Sequence, residues 1–466
     1  MHSNPIIHAG VLSLLASSGC AAEAVSKQPN IIIIIADDAG WNDFGAYGNS
    51  GVRTPNIDRL AAEGMLFTNA FVTTSSCSPS RASILTGMYP HNTGAQELHM
   101  PLPADRKLFA GALQKAGYYT AASGKWHIGP KRAEFDSIYD VRDPSGAADW
   151  IRALENRPPG KPFFMWFAAV DPHRPYQENI IGQPHQLGDA VVPPFLPDNE
   201  FTRKDLALYY DELARLDMYV GKVLDELDQQ GVAENTMVIF MTDNGRPFPR
   251  CKTRMLDDGL KSPFIIRWPA VIKAGSTSNS LVSSVDIAPA ICELAGADLL
   301  AQFQGVSFVQ VLKDPHATVR DFVVGEHNWH DYQAHERSVR TSRYLYIRNA
   351  FPHLNANPPA DAAGSVTFRE MVRLFREGAL AEPFMDSFTV PRQPEELYDL
   401  TRDPLQLTNL AYDAGYKEAL QNMRQILDKW ISDTNDSIPS VPTPDMFDRW
   451  NGKKLMDIQE YRKARK

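Results

Sequence analysis

Residues 31–36 form a near-continuous β-branched apolar run that stops at Asp37-Asp38. A run with no polar alternation predicts a central parallel strand buried on both faces, and its carboxyl end is where open α/β sheets place their sites. The plan recurs along the chain. Residues 163–170 end in Asp171-Pro172-His173, residues 237–241 lead through Thr242 into Asp243-Asn244-Gly245, and residues 264–268 make a short strand before Pro269. Between these runs, apolar spacing predicts helices over 56–63, 109–116 and 206–229. Alternating strands and helices predict an α/β fold: a large, mainly parallel sheet sandwiched by helices. Beyond about residue 314 the strands become shorter and more polar (322–325, 344–348), with a terminal helix near 416–432. The expected division is a leader over 1–28, a principal α/β domain over 29–313 and a smaller C-terminal α+β subdomain over 314–466.

A chain of 466 residues, 43% apolar, can bury one large core and a satellite. Its net charge of −9 gives no general attraction to polyanions, so bulk nucleic-acid binding is not expected and an anionic ligand needs a local basic pocket. The four cysteines (Cys20, Cys77, Cys251, Cys292) make neither a zinc pattern nor a disulfide framework. Cys292, inside an apolar run, reads as an inert core thiol. No run approaches the ~20 apolar residues of a membrane span. The stretch before Cys20 reads as an export leader, although it lacks the usual basic start. Ser18-Gly19-Cys20 fits a lipoprotein cleavage site with a lipid anchor on Cys20, and Ala22-Glu23-Ala24 a poorer ordinary one. The expectation is an exported protein, periplasmic or lipid-tethered.

The sharpest local signal is Cys77-Ser78-Pro79-Ser80-Arg81, set just before a helix start whose amides favour an anion. A second block runs from Gly117-Tyr118 to Gly124-Lys125-Trp126-His127-Ile128-Gly129. Each residue alone has a bland reading: a core thiol, a solvated lysine, a satisfied histidine. Together the two blocks closely resemble the paired signatures of the type I sulfatases, in the alkaline-phosphatase-like superfamily. That resemblance implies that a separate maturation enzyme oxidises Cys77 to formylglycine, with Pro79 and Arg81 in the recognised motif.

Asp37, Asp38, Asp243 and Asn244 all follow predicted strands. Such residues also serve as helix caps or turn formers; an all-oxygen set suits Ca²⁺, or Mg²⁺, over zinc. The resemblance implies that these four, with the modified Cys77, bind Ca²⁺. It further implies that a hydrated aldehyde at position 77 attacks sulfur and leaves a sulfated enzyme. His173, otherwise a loop histidine between prolines, would protonate the leaving group. Lys125 and Lys252 would neutralise the sulfate oxygens, and His127 would deprotonate the remaining hydroxyl to expel sulfate.

The resemblance extends from Asn30 to about Asn409. Within the family, Ser75 to Ser83, Asp171-Pro172-His173-Arg174 and Asp243-Asn244-Gly245 look most like the heparan N-sulfatase branch, with Lys252 standing where arginine is usual there. The implied substrate is a sulfated carbohydrate, either N-sulfated glucosamine or an O-sulfated glycosaminoglycan or algal polysaccharide such as ulvan. Glu326, His327, His330, Asp331, His335, Arg337 and Arg340 form a polar cluster expected to grip the sugar, with a solvated loop as the plainer reading. The rival readings are a phosphonate or phosphate ester hydrolase of the same superfamily and an inactive carbohydrate-binding homologue.

Overall fold

The computed structural model describes residues 28–464, so the leader and Cys20 lie outside the described residues. Eight strands make the principal sheet: β1 (Asn30–Ala36), β2 (Met65–Phe67), β3 (Tyr119–Gly124), β4 (Ser137–Tyr139), β5 (Phe163–Ala168), β6 (Thr236–Thr242), β7 (Phe264–Arg267) and β8 (Ser276–Ser278). Their order is β4-β3-β5-β1-β6-β7-β2-β8, with only β7 running against the rest. β1 lies in the middle, Ile33 standing opposite Trp166 on one side and Ile239 on the other. Ile31, Ile33 and Ile35 enter one core while Ile32 and Ile34 enter the other, which is why the run needed no polar positions.

Helices cover both faces. On one lie α2 (Cys77–Thr86), α3 (Phe109–Lys115) and α6 (Ile287–Ala295); on the other lie α1 (Pro55–Ala62), α4 (Trp150–Glu155) and α5 (Glu200–Gln229). α5 begins six residues before its predicted start because its first turn is polar. Asn199 caps it, its side chain accepting from Thr202 N at 3.1 Å. Cys292 is buried in α6, as an inert thiol requires.

The smaller sheet is antiparallel, with β9 (Phe322–His327), β10 (Glu336–Thr341), β11 (Tyr344–Asn349) and β12 (Glu395–Asp399) side by side. A helix, α7 (Val366–Arg376), leaves it, and α8 (Lys417–Thr434) covers one face. There Val324, Val339, Tyr346 and Leu397 pack against Leu420, Met423 and Leu427. Its other face, through Val323, Leu345 and Ile347, merges with the core of the principal sheet. The subdomain is therefore bolted to the α/β domain by continuous apolar packing. Among the described residues no helix is long and apolar enough to cross a membrane.

Beside the carboxyl end of β5, Arg215 of α5 donates to both oxygens of Asp171 (2.8 and 2.6 Å) and to Glu212. Burial pushes the Glu212 carboxyl up from 4.5 to about 8, with Asp171 adding to the rise and Arg215 opposing it. An acid raised in this way holds extra protons in the folded chain between those two values, so its contribution to stability falls as pH rises through that window. Glu212→Gln keeps the shape without the charge. Its melting temperature relative to the parent should therefore climb between about pH 5 and about pH 8; a difference that stays constant in thermal melts would show that Glu212 ionises as it does in the unfolded chain.

Candidate catalytic centre

Four strand ends converge on Cys77. β1 delivers Asp37 and Asp38, β6 delivers Asp243 and Asn244, β3 delivers Lys125, and β5 leads to His173. Cys77 opens α2 after the extended Ser76. Its approach is clamped from both sides: Thr253 N donates to Ser75 O (3.1 Å), Glu326 N donates to Thr73 O (2.8 Å), and Ser76 Oγ pairs with His330 Nδ1 (2.7 Å). Gly124 lets the chain turn Lys125 inward. At φ +96° a Cβ there would lie 1.9 Å from Ala168 O, so only glycine fits.

Ligand atoms of Asp37, Asp38, Cys77 and Asp243 lie within 4.8 Å of one another. Three cations hold these carboxylates together. Arg81, fully buried, donates to Asp243 Oδ2 through Nε (2.8 Å) and to Lys125 O through Nη1 (2.8 Å), while its Nη2 is ion-paired with Asp243 Oδ2 (2.7 Å) and stands 3.5 Å from Asp37 Oδ1 without a hydrogen bond to either. Lys125 Nζ donates to Asp37. Lys252 Nζ donates to Asp38 Oδ2 (2.7 Å) and to Asp361 Oδ2 (2.8 Å). Burial alone would raise the Asp37 carboxyl, but Lys125, His173 and Arg81 hold it well below the usual range. Burial pushes Asp243 up to about 6 against the pull of Arg81.

The thiol itself is not activated. Burial drives Cys77 well above its ordinary value despite Lys252 and Lys125, so at neutral pH it remains protonated and a poor nucleophile. Its Sγ lies 3.5 Å from Asp38 Oδ1.

The site fits a hard cation. Asp37 Oδ1 and Asn244 Oδ1 are buried with no hydrogen-bond partner, while Asn244 spends its amide on Asp38 Oδ1 (2.6 Å) and Gly245 O (3.0 Å). Buried acceptors left unpaired at the end of a sheet are what an oxygen-ligated ion satisfies.

Two histidines flank the cluster. His173 Nδ1 pairs with Arg174 O, leaving Nε2 to face Asp361 Oδ2 (3.5 Å) and Asp38 Oδ2 (3.8 Å). His127, at φ +54°, pairs through Nε2 with His99 Nδ1 (2.7 Å) and keeps a buried, unpartnered Nδ1. Burial, Lys125 and His99 hold His127 well below its ordinary value, and His99 falls to about 4, so both stay neutral.

The expected sugar-gripping cluster is placed differently. Glu326 is fully buried and bonds His91 (2.7 Å); Arg337 is locked to Asp436 (2.7 and 2.8 Å); Arg340 faces Asp257 (3.3 Å); His335 pairs with Ser437 O (3.3 Å) and His327 lies 3.5 Å from Glu336. Charges removed from water must be paired, and these are paired with one another and with the α/β domain. His330 and Asp331 act on the site from behind, the first through Ser76 and the second by accepting from Ala360 N (2.8 Å), which fixes the turn bearing Asp361.

Asp361 and His99 carry no sequence signal. Asp361 stands 109 positions from Lys252 in an Asn/Pro/Ala-rich stretch, and His99 lies between predicted elements. Only folding brings them to the cluster.

The comparisons agree with this architecture. A family profile described as Sulfatase matches residues 29–297, and one described as N-sulphoglucosamine sulphohydrolase, C-terminal, matches 251–353. The chain belongs to the sulfatase family. As a sulfatase it is a hydrolase of sulfate esters or sulfamates, and it is 33% identical to an ulvan-active sulfatase of Formosa agariphila over 89% of this chain and 82% of that protein. It is 31% identical to human N-sulphoglucosamine sulphohydrolase over 90% of this chain and 93% of that one. Its fold matches, at a TM-score of 0.69 and 22% identity over 89% of this chain and 99% of the other, a structure solved in complex with its substrate D-glucosamine-2-N,6-O-disulfate.

Among the described residues, Asp361 supplies the only carboxylate that reaches both Lys252 and His173 from outside the principal sheet. Asp361→Asn keeps its size and removes its charge. This variant should lose about ten- to hundredfold in kcat/KM on a sulfated sugar, with its melting temperature nearly unchanged; a rate equal to the parent would show that Asp361 merely fills space.

Proposed function

We propose that this sulfatase removes sulfate from a sulfated carbohydrate, using the residue at position 77 as its nucleophile after oxidation of Cys77 to formylglycine. The observation that carries the reading is the cluster itself: a buried, unactivated thiol placed against an oxygen-lined site that needs a cation. Four carboxylates (Asp37, Asp38, Asp243, Asp361) face three fixed cations (Arg81, Lys125, Lys252), leaving one negative charge before His173 is counted. A divalent cation turns that balance to one positive, the sign needed to admit a monoanionic sulfate.

Asp37, Asp38, Asp243 and Asn244 would hold Ca²⁺, which supplies charge screening and polarises the reacting sulfate. Arg81 keeps Asp37 and Asp243 in place. Lys125 and Lys252, freed in part from the carboxylates, present ammonium donors to the sulfate oxygens. His173 Nε2 gives a proton to the leaving atom, and the neutral, unpartnered Nδ1 of His127 takes one from the residue at 77. A separate formylglycine-generating enzyme supplies the oxidised residue, and the expected leader places the working protein outside the cytoplasm, periplasmic or lipid-tethered.

The leaving atom is the finer question. The carboxylate of Asp361 beside His173 can accept from an N–H, whereas an ester oxygen has no hydrogen to offer and meets it with repulsion. This supports N-sulfated glucosamine, in line with the N-sulphoglucosamine sulphohydrolase match over 251–353. The second reading, an O-sulfatase of an algal polysaccharide, is favoured by the 33% identity to the ulvan-active enzyme.

Cys77→Ala should fold with the parent's melting temperature and release no measurable sulfate, and the active protein should carry formylglycine in the peptide spanning residue 77 by mass spectrometry. Sulfate release by the alanine variant refutes the nucleophile. On paired sugars differing only in N- or O-sulfate, the N-sulfated one should be turned over faster by at least about tenfold. Stripping Ca²⁺ with a chelator should abolish activity and lower the melting temperature, with both restored on adding the ion back; a melting temperature indifferent to the chelator would count against the cation.

A further inference from the structure

A groove of about 570 Å³ lies beside the turn that carries Asp361. Its inner end is lined by Tyr332, Asn357 and Ala363, the last two positions beyond Asp361. One wall is the outer face of α7, where Arg369, Arg373 and Arg376 fall at helical spacing and are all exposed. The opposite wall is the turn 448–452, with Trp450 at its tip. The volume lies in the range of carbohydrate-sized sites.

The walls are rigid where they need to be. Phe368 and Met371, on the inner face of α7, are buried in the core beneath the principal sheet, and Phe375 stacks on Phe388 at 4.6 Å. Arg449 is tied to Asp445 (2.7 and 2.8 Å) and to Gln333 O (2.7 Å), which anchors the Trp450 turn.

The charge is selective. Arg373 is spent on Glu370 (2.8 Å) and Glu377 (2.6 Å). Arg369 and Arg376 have no ion-pair partner among the described residues, in a chain whose net charge is −9. The groove's two acids are Glu377, which faces Arg373, and Asp448, which accepts from the backbone of Trp450 and Asn451. Trp450 leaves 59% of its surface exposed, so its indole face is open to the groove that Val372 and Phe368 also line. Unpaired guanidinium forks match sulfate or carboxylate groups, and a bare indole face matches the C–H face of a pyranose.

We propose that this groove is a saccharide subsite, holding the anionic sugar chain that continues from the residue being desulfated. The inference rests on the carbohydrate-sulfatase reading and deepens it: the substrate is an oligomer or polymer with further acidic groups, gripped by Arg369 and Arg376 and stacked on Trp450, instead of a lone sugar held at the catalytic centre.

The test uses the full chain in a Cys77→Ala background, so that ligands are bound and not consumed. A sulfated heparan-type hexasaccharide and a sulfated ulvan hexasaccharide are titrated by calorimetry, with the sulfated monosaccharide of each as comparison. At least one hexasaccharide should bind about tenfold or more tightly than its monosaccharide. Arg369→Ala/Arg376→Ala and Trp450→Ala should each erase most of that advantage while leaving monosaccharide binding unchanged. Raising salt should weaken the hexasaccharide in the parent far more than in the arginine double variant. Hexasaccharides that bind no better than monosaccharides, or that bind both variants as tightly as the parent, overturn the subsite and leave desulfation untouched. Arginine-dependent binding in a protein whose Cys77 form desulfates no sugar sustains the subsite and instead removes the catalytic reading.

Discussion

Everything at the centre of this protein depends on how buried charge is balanced. Asp37, Asp38 and Asp243 are buried at the ends of adjacent strands, where isolated carboxylates would each cost several kcal/mol. Arg81 is the keystone. It lies fully buried with forked contacts to Asp243, an ion pair to Asp37 and a bond to the backbone of Lys125. That single guanidinium ties the strand ends and the Cys77 helix into one unit. Lysine could not serve as well, because a point charge cannot hold three partners in a plane.

The same balance explains why the thiol is inert. Burial drives Cys77 toward its protonated form, so the fold gains nothing from the sulfur as a nucleophile. What the fold supplies is an ordered ring of acceptors and donors around position 77. The unpaired Asp37 and Asn244 oxygens are the unfilled acceptors of that ring.

The smaller subdomain closes the site in two ways. Its buried ion pairs and Ser76–His330 contact clamp the approach to Cys77, which makes most of its conspicuous polar residues supports for the site. Its irregular segment after β11 contributes Asp361, which shares Lys252 with Asp38 and faces His173. Near that turn the basic face of α7 and the exposed Trp450 line the groove proposed as a saccharide subsite. On that proposal chemistry and recognition fall to different layers, the first to strand ends and the second to loops and a helix packed against them.

The sequence by itself determined the four middle strands of the principal sheet, β5, β1, β6 and β7, because two-sided burial forces unbroken apolar runs and strand ends force the polar residues that follow them; the shorter or small-residue strands β2, β3, β4 and β8 carry no such run. It also marked Cys77, Arg81, Lys125 and the acidic pairs, whose spacing in the chain is short enough to read as motifs. It did not determine β10 or β12, whose charged residues hide strand character until cross-strand and interdomain partners neutralise them, as Arg392 and Arg254 do for Glu336. Nor did it distinguish Glu326, Arg337 and Arg340, spent inside, from Arg369 and Arg376, left outside. A charged side chain reads the same in either place, and only tertiary packing decides which find partners and which remain free for a ligand.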